Sequence, residues 1–267
     1  MKRTPAVAGT FYPANAASLG KLVEEFSLPE QKRIKAKGIV SPHAGYIYSG
    51  SVAGKVYSGV EVPGTVIVIG PNHTGYGRKA GILPEGVFSM PGFTMEIDHE
   101  LAASIMKNSD VIEEDSDSHT HEHSLEVQLP FIHYHNPSAR IVPLCVMGRG
   151  YDFVSSIGNA LAKSIRDSGK DVLIVASSDM THYESQQIAR EKDNLAIEKV
   201  IGLDPFGLMK ITVERDISMC GVIPVAIMLI SAKQLGAKKA KLVDYKTSGE
   251  VTNDYDEVVG YAGIMVY

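Results

Sequence analysis

The chain has 267 residues, of which 44% are hydrophobic and 21% charged. This balance is ordinary for a folded globular protein and excludes a disordered one. The formal net charge is -5, and no run of basic residues is longer than a pair such as Lys238-Lys239. Nucleic acids and acidic membranes are therefore not expected as partners, because phosphate binding needs clustered Lys and Arg side chains.

Targeting and membrane signals are absent from the sequence. The longest apolar run, Val222–Ala232, contains Pro224 and is shorter than the roughly 18 residues that a membrane span needs. No apolar stretch of signal-peptide length follows the first residues. The two cysteines, Cys145 and Cys220, form no CxxC pair, which favours free thiols in a reducing compartment. We therefore expect a cytoplasmic protein without a membrane segment.

Short runs rich in Val, Ile and Leu alternate with helical patterns, which is typical of a layered α/β fold. In chain order the predicted elements are helix Ala17–Phe26, strand Gly38–Ser41, helix Ser51–Tyr57, strand Thr65–Gly70, helices His99–Lys107 and Leu125–Tyr134, strand Arg140–Met147, helix Phe153–Asp167, strand Asp171–Ala176, helices Ser185–Ile201, Pro205–Val213 and Val222–Leu235, and strands Lys241–Lys246 and Glu257–Tyr267. Near-continuous apolar strands indicate a central, mostly parallel sheet covered by helices on both faces. We predict a single domain over residues 1–267, with Gly75–Pro91 as a long surface excursion.

Three of the predicted strands end in polar turns that each contain a histidine. These turns are Ser41–Tyr46 with His43, Gly70–Tyr76 with His73, and Ser177–His182 with His182. Ligands of open α/β sheets bind beyond the carboxyl ends of the strands, where the loops separate into a crevice. The positions predict that the three histidines share one site. The alternative is three unrelated loop histidines that bind nearby backbone groups.

A second histidine cluster lies in the polar segment Asp115–Ser124. Alternating histidines could bind a metal ion from one face of a strand. A polar tract before a helix is more often a solvated loop, which is the interpretation that we favour for His119 and His121. Glu122 and His123 stand closest to the predicted helix and are expected to point inward.

Cys220 directly precedes the apolar helix Val222–Leu235. A thiol at a helix N-terminus lies near free N–H groups and the positive end of the helix dipole, so its pKa is expected to fall. This favours a nucleophile or a metal ligand, whereas Cys145, inside a strand, fits a small buried residue. No GxGxxG motif follows a strand and no phosphate loop is present, so no nucleotide cofactor is expected.

These motifs together resemble the Memo family. The matching stretches are Pro5–Pro13, Pro42–Tyr46, Gly70–His73, Glu122–Phe131, Ser178–His182 and Cys220–Pro224. The family is similar in fold to the class III, LigB-type extradiol dioxygenases, which are non-haem iron enzymes. The resemblance implies that His43 and His73 match the two metal-binding histidines of that superfamily. It also implies an acid/base role for His182 with Asp179.

The resemblance places Cys220 where the dioxygenases have a third, carboxylate ligand. A carboxylate with two histidines leaves open positions on Fe(II) for substrate and oxygen, whereas a thiolate is softer and also suits copper. The implied function is a metal-dependent redox enzyme that binds one Fe(II) or copper ion. The substrate would be a small molecule or peptide in the cleft, with Tyr46, Asn72, Glu122 and His123 as binding residues.

The competing function is a non-catalytic protein that uses the same cleft to bind metal or a peptide. His182 favours an enzyme, because metal storage needs no acid/base group. Cys220 favours a binding protein, because its thiolate is easily oxidised. The family resemblance also implies a functional link to a radical-SAM protein and an AMMECR-type protein.

Overall fold

The apolar runs of the sequence form the strands of a large sheet at the centre of the protein. The computed structural model describes residues 1–28 and 32–267. The strands of the described residues are β1 (Lys2–Arg3), β2 (Gly38–Ser41), β3 (Thr65–Pro71), β4 (Ala80–Ile82), β5 (Val87–Met90), β6 (Phe93–Glu96), β7 (Glu113–Glu114), β8 (Arg140–Val146), β9 (Val172–Ser177), β10 (His182–Glu184), β11 (Ala240–Thr247) and β12 (Val258–Val266).

Helices cover the sheet on both faces, as the alternating sequence pattern predicts. They are α1 (Ala16–Phe26), α2 (Tyr46–Ser58), α3 (His99–Lys107), α4 (Asp117–Thr120), α5 (Leu129–His135), α6 (Tyr151–Ser168), α7 (Gln186–Ile201), α8 (Pro205–Glu214), α9 (Val222–Gln234) and α10 (Gly249–Thr252), with a 3-10 turn at Glu126–Gln128. α9 is apolar on nearly all sides because it packs between α6, α8 and the sheet. In the described part of the chain, no helix is long and apolar enough to cross a membrane.

The main sheet is mixed, with a parallel centre and antiparallel edges. Its strand order is β10-β12-β2-β9-β3-β8-β4-β7, and β11 pairs with β12. The central strands β2, β9, β3 and β8 run parallel to one another. On either side of them, β12 and β4 run in the antiparallel direction. The four parallel strands are almost completely buried, which explains their continuous apolar sequences. Their carboxyl ends meet at one edge of the sheet.

Every helix and strand predicted from the sequence has a counterpart, and the differences lie at particular boundaries. α2 begins at Tyr46 rather than Ser51, directly after Gly45 at its N-cap. The predicted helix Leu125–Tyr134 is divided into the 3-10 turn and α5. Pro130 lies in the first turn of α5, where its missing N–H group is tolerated.

The prediction of a surface excursion at Gly75–Pro91 is confirmed for Gly75–Lys79, which are exposed and outside any strand or helix, and is wrong for the rest of the segment. β4 lies within this segment, is fully buried and pairs with β8, and β5 pairs with β1 and β6. A side chain at Gly81 would place its Cβ 2.3 Å from Ser118 Oγ. This glycine therefore serves close packing rather than a loop, and strands of three or four residues are too short to show a clear period.

Candidate functional site

Three imidazole rings converge at the carboxyl edge of the parallel strands. His43 follows β2, His73 follows β3, and His123 lies between α4 and the 3-10 turn. The potential donor atoms of the three side chains all lie within 4.8 Å of one another. The ring centroids are 5.2 Å apart for His43 and His73, 5.5 Å for His43 and His123, and 4.7 Å for His73 and His123. The group forms a compact cluster, which we call the histidine centre.

His43 is fixed by contacts on both its backbone and its ring. Its N–H group donates to Asp179 Oδ1 at 2.7 Å, and its Nδ1 lies 2.9 Å from Ser177 Oγ. The Ser177 hydroxyl uses its own hydrogen to donate to the Ser124 carbonyl. Its oxygen therefore accepts the hydrogen bond from His43 Nδ1–H. The hydrogen-bond network therefore assigns a free lone pair to Nε2. Burial, and then the neighbouring imidazoles, hold the pKa of His43 well below its usual value, which keeps the ring neutral.

His73 is held by the buried carboxylate of Glu122. Glu122 accepts the His73 backbone N–H at 2.6 Å and binds Nδ1 at 2.8 Å. It also accepts the N–H groups of His123 and Ser124. Although burial opposes ionisation, the hydrogen bonds from His73 and Ser124 lower the pKa of Glu122 to about 2. The carboxylate thus fixes His73 with Nε2 free, in the way that a carboxylate bonded to the other ring nitrogen orients a metal-binding histidine.

Cys220 adjoins the cluster at His43, but it is not one of the three side chains whose donor atoms all lie within 4.8 Å of one another. Its Sγ lies 3.3 Å from His43 Nε2 and accepts the Asp179 N–H at 3.3 Å. The following residue, Gly221, packs against the end of β9, where an added Cβ would lie 2.4 Å from the Ser177 carbonyl oxygen. A glycine is required there for the thiol to approach His43.

The expectation of a lowered pKa for Cys220 is wrong. Burial, followed by the charge of Asp179, raises the pKa of the thiol well above its usual value. Cys220 precedes the N-cap residue Gly221 rather than lying in the first turn of α9, where the helix dipole acts most strongly. The thiol is therefore not ionised by the protein alone, and a coordinated metal ion would be needed to deprotonate it.

Asp179 and His182 follow β9 on the same edge of the sheet. Asp179 is 4% exposed, and its Oδ2 lies 4.0 Å from His43 Nε2. Burial raises the pKa of Asp179 to about 6. His182 is half-buried, with its N–H bound to Ser218 Oγ and its Nδ1 3.1 Å from the Ser218 carbonyl oxygen. Since a carbonyl only accepts, Nδ1 carries the proton and Nε2 is free.

The remaining predicted site residues have internal partners. Tyr46 is buried and donates its hydroxyl to the Val127 carbonyl at 2.7 Å. Asn72 shapes its own turn, because its Oδ1 accepts the N–H groups of Thr74 and Gly75. Glu122 lies behind His73, whereas His123 is one of the three converging rings. The sequence offered no signal for that placement beyond the inward direction expected of His123.

The prediction of a solvated loop is wrong for His119. This side chain is 1% exposed, its Nε2 lies 3.0 Å from the Gly81 carbonyl oxygen, and burial lowers its pKa to about 4. His119 is buried because its segment packs against β4, where Asp115 and Ser118 lie close to Gly81. His121 is exposed, as predicted.

A cavity of about 790 Å³ opens beside Cys220. It lies between the ends of β3 and β8 and the helices α8 and α9, and Asn72 and Met219 are among its lining residues. Polar and apolar groups both contribute to its walls. The cavity is large enough for a small organic molecule. Cys220 is the wall residue that adjoins the histidine centre, and the three histidines themselves do not line the cavity.

Fold and site together define an α/β protein with a cluster of three histidines, and a cysteine beside one of them, at its sheet edge. The sequence profile of the family described as Memo-like protein matches residues 3–265. MEMO1 family proteins are 40% identical in Methanothermobacter thermautotrophicus, where the alignment covers 98% of this chain and 99% of the relative, and 42% identical in Methanococcus maripaludis, where it covers both chains completely. The chain belongs to the Memo-like family.

A solved structure shows the same fold at low sequence similarity. It is an uncharacterized Escherichia coli K12 protein with a TM-score of 0.58 and 11% identity, and the alignment covers 87% of this chain and 100% of that one. Identity at this level supports the architecture alone.

Proposed function

We propose that the chain is a metal-dependent redox enzyme that binds one Fe(II) or copper ion at the histidine centre. One observation carries the proposal: the donor atoms of His43, His73 and His123 lie within 4.8 Å of one another, and Cys220 Sγ lies 3.3 Å from His43 Nε2. Imidazole and thiolate together suit iron or copper better than hard, oxygen-binding cations.

The hydrogen bonds of the ligand candidates fit a bound metal ion. Ser177 accepts from Nδ1 of His43 and Glu122 binds Nδ1 of His73, so each ring keeps Nε2 for a metal. Metal-binding histidines usually have such a partner on the other ring nitrogen. The lowered pKa of His43 keeps its ring neutral, as a ligand must be. These features support a metal site more strongly than the residue types alone.

When bound, iron or copper would supply electron-transfer chemistry and open positions for a substrate. The cavity beside Cys220 would admit that substrate. Asp179 and His182 are proposed to move protons: Asp179 Oδ2 lies 4.0 Å from His43 Nε2, and His182 keeps Nε2 free at the half-buried edge of the site. Two such groups in a cleft are the usual requirement for general acid–base chemistry.

A second candidate function is metal binding without turnover, and His123 is the observation that favours it. If His43, His73, His123 and Cys220 all bound one ion, four protein ligands would close its coordination, as in structural sites. If only three bound it, one position would stay open for chemistry. The two functions thus differ in the role of His123.

An anaerobic titration with Fe(II) and Cu(I) tests the proposal. The parent should bind one equivalent, and His43→Ala or His73→Ala should remove most of the binding. His121→Ala is the matched control, because His121 is an exposed histidine of the neighbouring segment and should bind like the parent. Parent-like affinity in both variants would refute the proposed site. In the same titration, loss of metal from both His123→Ala and Cys220→Ser would favour the closed, non-catalytic site, because only then would four protein ligands bind the ion.

A further inference from the structure

The N-terminal segment, residues 3–12, contains a buried arginine that the proposed chemistry does not use. Arg3 is 2% exposed. Its guanidinium donates to the carbonyl oxygens of His119 at 3.1 Å and Glu122 at 2.5 Å, and it pairs with the Glu126 carboxylate. Three acceptors from one stretch of chain thus converge on a single guanidinium, whose planar fork can bind several groups at once.

The same segment surrounds Glu126. This carboxylate is fully buried and accepts the N–H groups of Ala6 at 2.7 Å and Val7 at 3.1 Å, together with the Tyr12 hydroxyl. The ring of Phe11 lies 4.7 Å from that of His123. The N-terminal segment is therefore tied to residues 119–126 at several points and forms a wall against the histidine centre.

Residues 119–126 in turn hold two histidines of the centre. The backbone oxygen of Glu122 binds Arg3, while its carboxylate binds the backbone and ring of His73. The next residue, His123, stacks on His73 at 4.7 Å. Between α4 and the 3-10 turn, residues 121–125 have no regular secondary structure, so their path is set by side-chain contacts rather than by a helix or sheet ladder.

We infer that Arg3 and Glu126 are positioning residues that hold Glu122 and His123 in the geometry of the histidine centre. Buried ion pairs contribute little to stability compared with apolar replacements, and their best-supported role is to specify one arrangement. Here the specified arrangement is that of the loop carrying His123. The effect on metal binding rests on the proposed function, whereas the effect on ring positions does not.

Two variants and one control test this inference. Arg3→Met removes the guanidinium but leaves the Glu126 carboxylate buried without its partner, so this variant can fail to fold. The double variant Arg3→Met/Glu126→Leu removes both charges and leaves no unpaired charge buried. Asp98→Asn is the control: Asp98 is 2% exposed, pairs with Lys170 and contacts Thr65 at the opposite end of β3. The substitution disturbs the ion pair of a buried carboxylate with a half-buried lysine and does not touch the histidine centre.

Two measurements are made on each protein: Co(II) affinity, and the NMR signals of the histidine rings without added metal. We expect the Arg3 variants to lose at least about tenfold in affinity, as for other residues behind metal ligands, and to shift the ring signals of His73 and His123. Those of His182 should stay in place, and Asp98→Asn should match the parent in both measurements.

The outcomes separate the inference from the proposed function. If the parent fails to bind Co(II) but the His73 and His123 signals still shift in the Arg3 variants, the metal proposal is weakened while the positioning role stands. Unchanged signals for these two rings in a folded double variant would overturn the inference. Equal shifts in the double variant and Asp98→Asn would also overturn it, because a general loss of stability would then explain them.

Discussion

Replacing Glu122 with glutamine tests whether its carboxylate prepares His73 for a ligand. Glu122 Oε1 accepts hydrogen bonds from His73 Nδ1 and from the N–H groups of His123 and Ser124. Oε2 accepts only the backbone N–H of His73, at 2.6 Å. Glutamine keeps the size of the side chain but has one oxygen and one NH₂ group. The amide oxygen should occupy the Oε1 position, because it then satisfies three donors. The NH₂ group is left facing the His73 backbone N–H.

The expected loss has two parts. Losing the partner of a metal-binding histidine typically weakens metal binding by about 10- to 100-fold, or about 1.4–2.8 kcal/mol. Leaving the part-buried His73 N–H without an acceptor should lower the free energy of unfolding by about 1 kcal/mol, the lower end of the range for unsatisfied groups. The first loss appears only with metal present, and the second appears without it.

Competition with a chromophoric chelator measures Co(II) affinity under anaerobic conditions, and thermal unfolding without added metal measures stability. Asp98→Asn again serves as the control, since its buried carboxylate also accepts several hydrogen bonds but lies away from the histidines. A Glu122→Gln protein that unfolds earlier yet binds Co(II) within about twofold of the parent would show that Glu122 is only structural and refute the reasoning, which expects at least tenfold.

Two further predictions concern Cys220 and Asp98. Cys220→Ser should weaken Cu(I) binding more than Fe(II) binding, because it removes a soft ligand. Cys145 is buried in β8, and Cys145→Ser should leave both affinities unchanged. Equal metal affinities in the two variants would exclude Cys220 as a ligand. Burial alone would raise the pKa of Asp98, but hydrogen bonds from Lys170, Leu101 and Thr65 lower it below its usual value. The ionised carboxylate therefore stabilises the fold at pH values above its unfolded-state pKa of about 4. This contribution is lost as the pH falls through the lower pKa of the folded state. Urea unfolding should therefore show Asp98→Asn to be less stable at pH 7, with a difference that shrinks below about pH 4; a difference independent of pH would contradict this assignment.

The sequence predicted the part of the site that follows from strand topology. His43 and His73 each follow a buried strand, and parallel strands place their carboxyl ends at the same edge of a sheet. β2 and β3 are both adjacent to β9, so the two turns meet. The strand pattern was strong because both faces of these strands are buried, which leaves long apolar runs.

The placement of His123 could not be predicted in this way. It follows no strand, and its segment is held by contacts with residues more than 100 positions away, such as Arg3 with Glu122 and Glu126. Local sequence carries no record of such contacts. The prediction of a solvated loop at His119 is wrong for a similar reason. The strand that buries this residue is β4, which is only three residues long.

The arrangement of proton donors and acceptors gives a further argument for a cation at the histidine centre. Ser177 and Glu122 accept hydrogen bonds from the Nδ1–H groups of His43 and His73, so both rings present the lone pair of Nε2. The third ring brings a further nitrogen donor within 4.8 Å of those of His43 and His73. Crowding several such donors is unfavourable unless a positive charge binds them, and local conflicts of this kind are typical of functional sites rather than of stable cores.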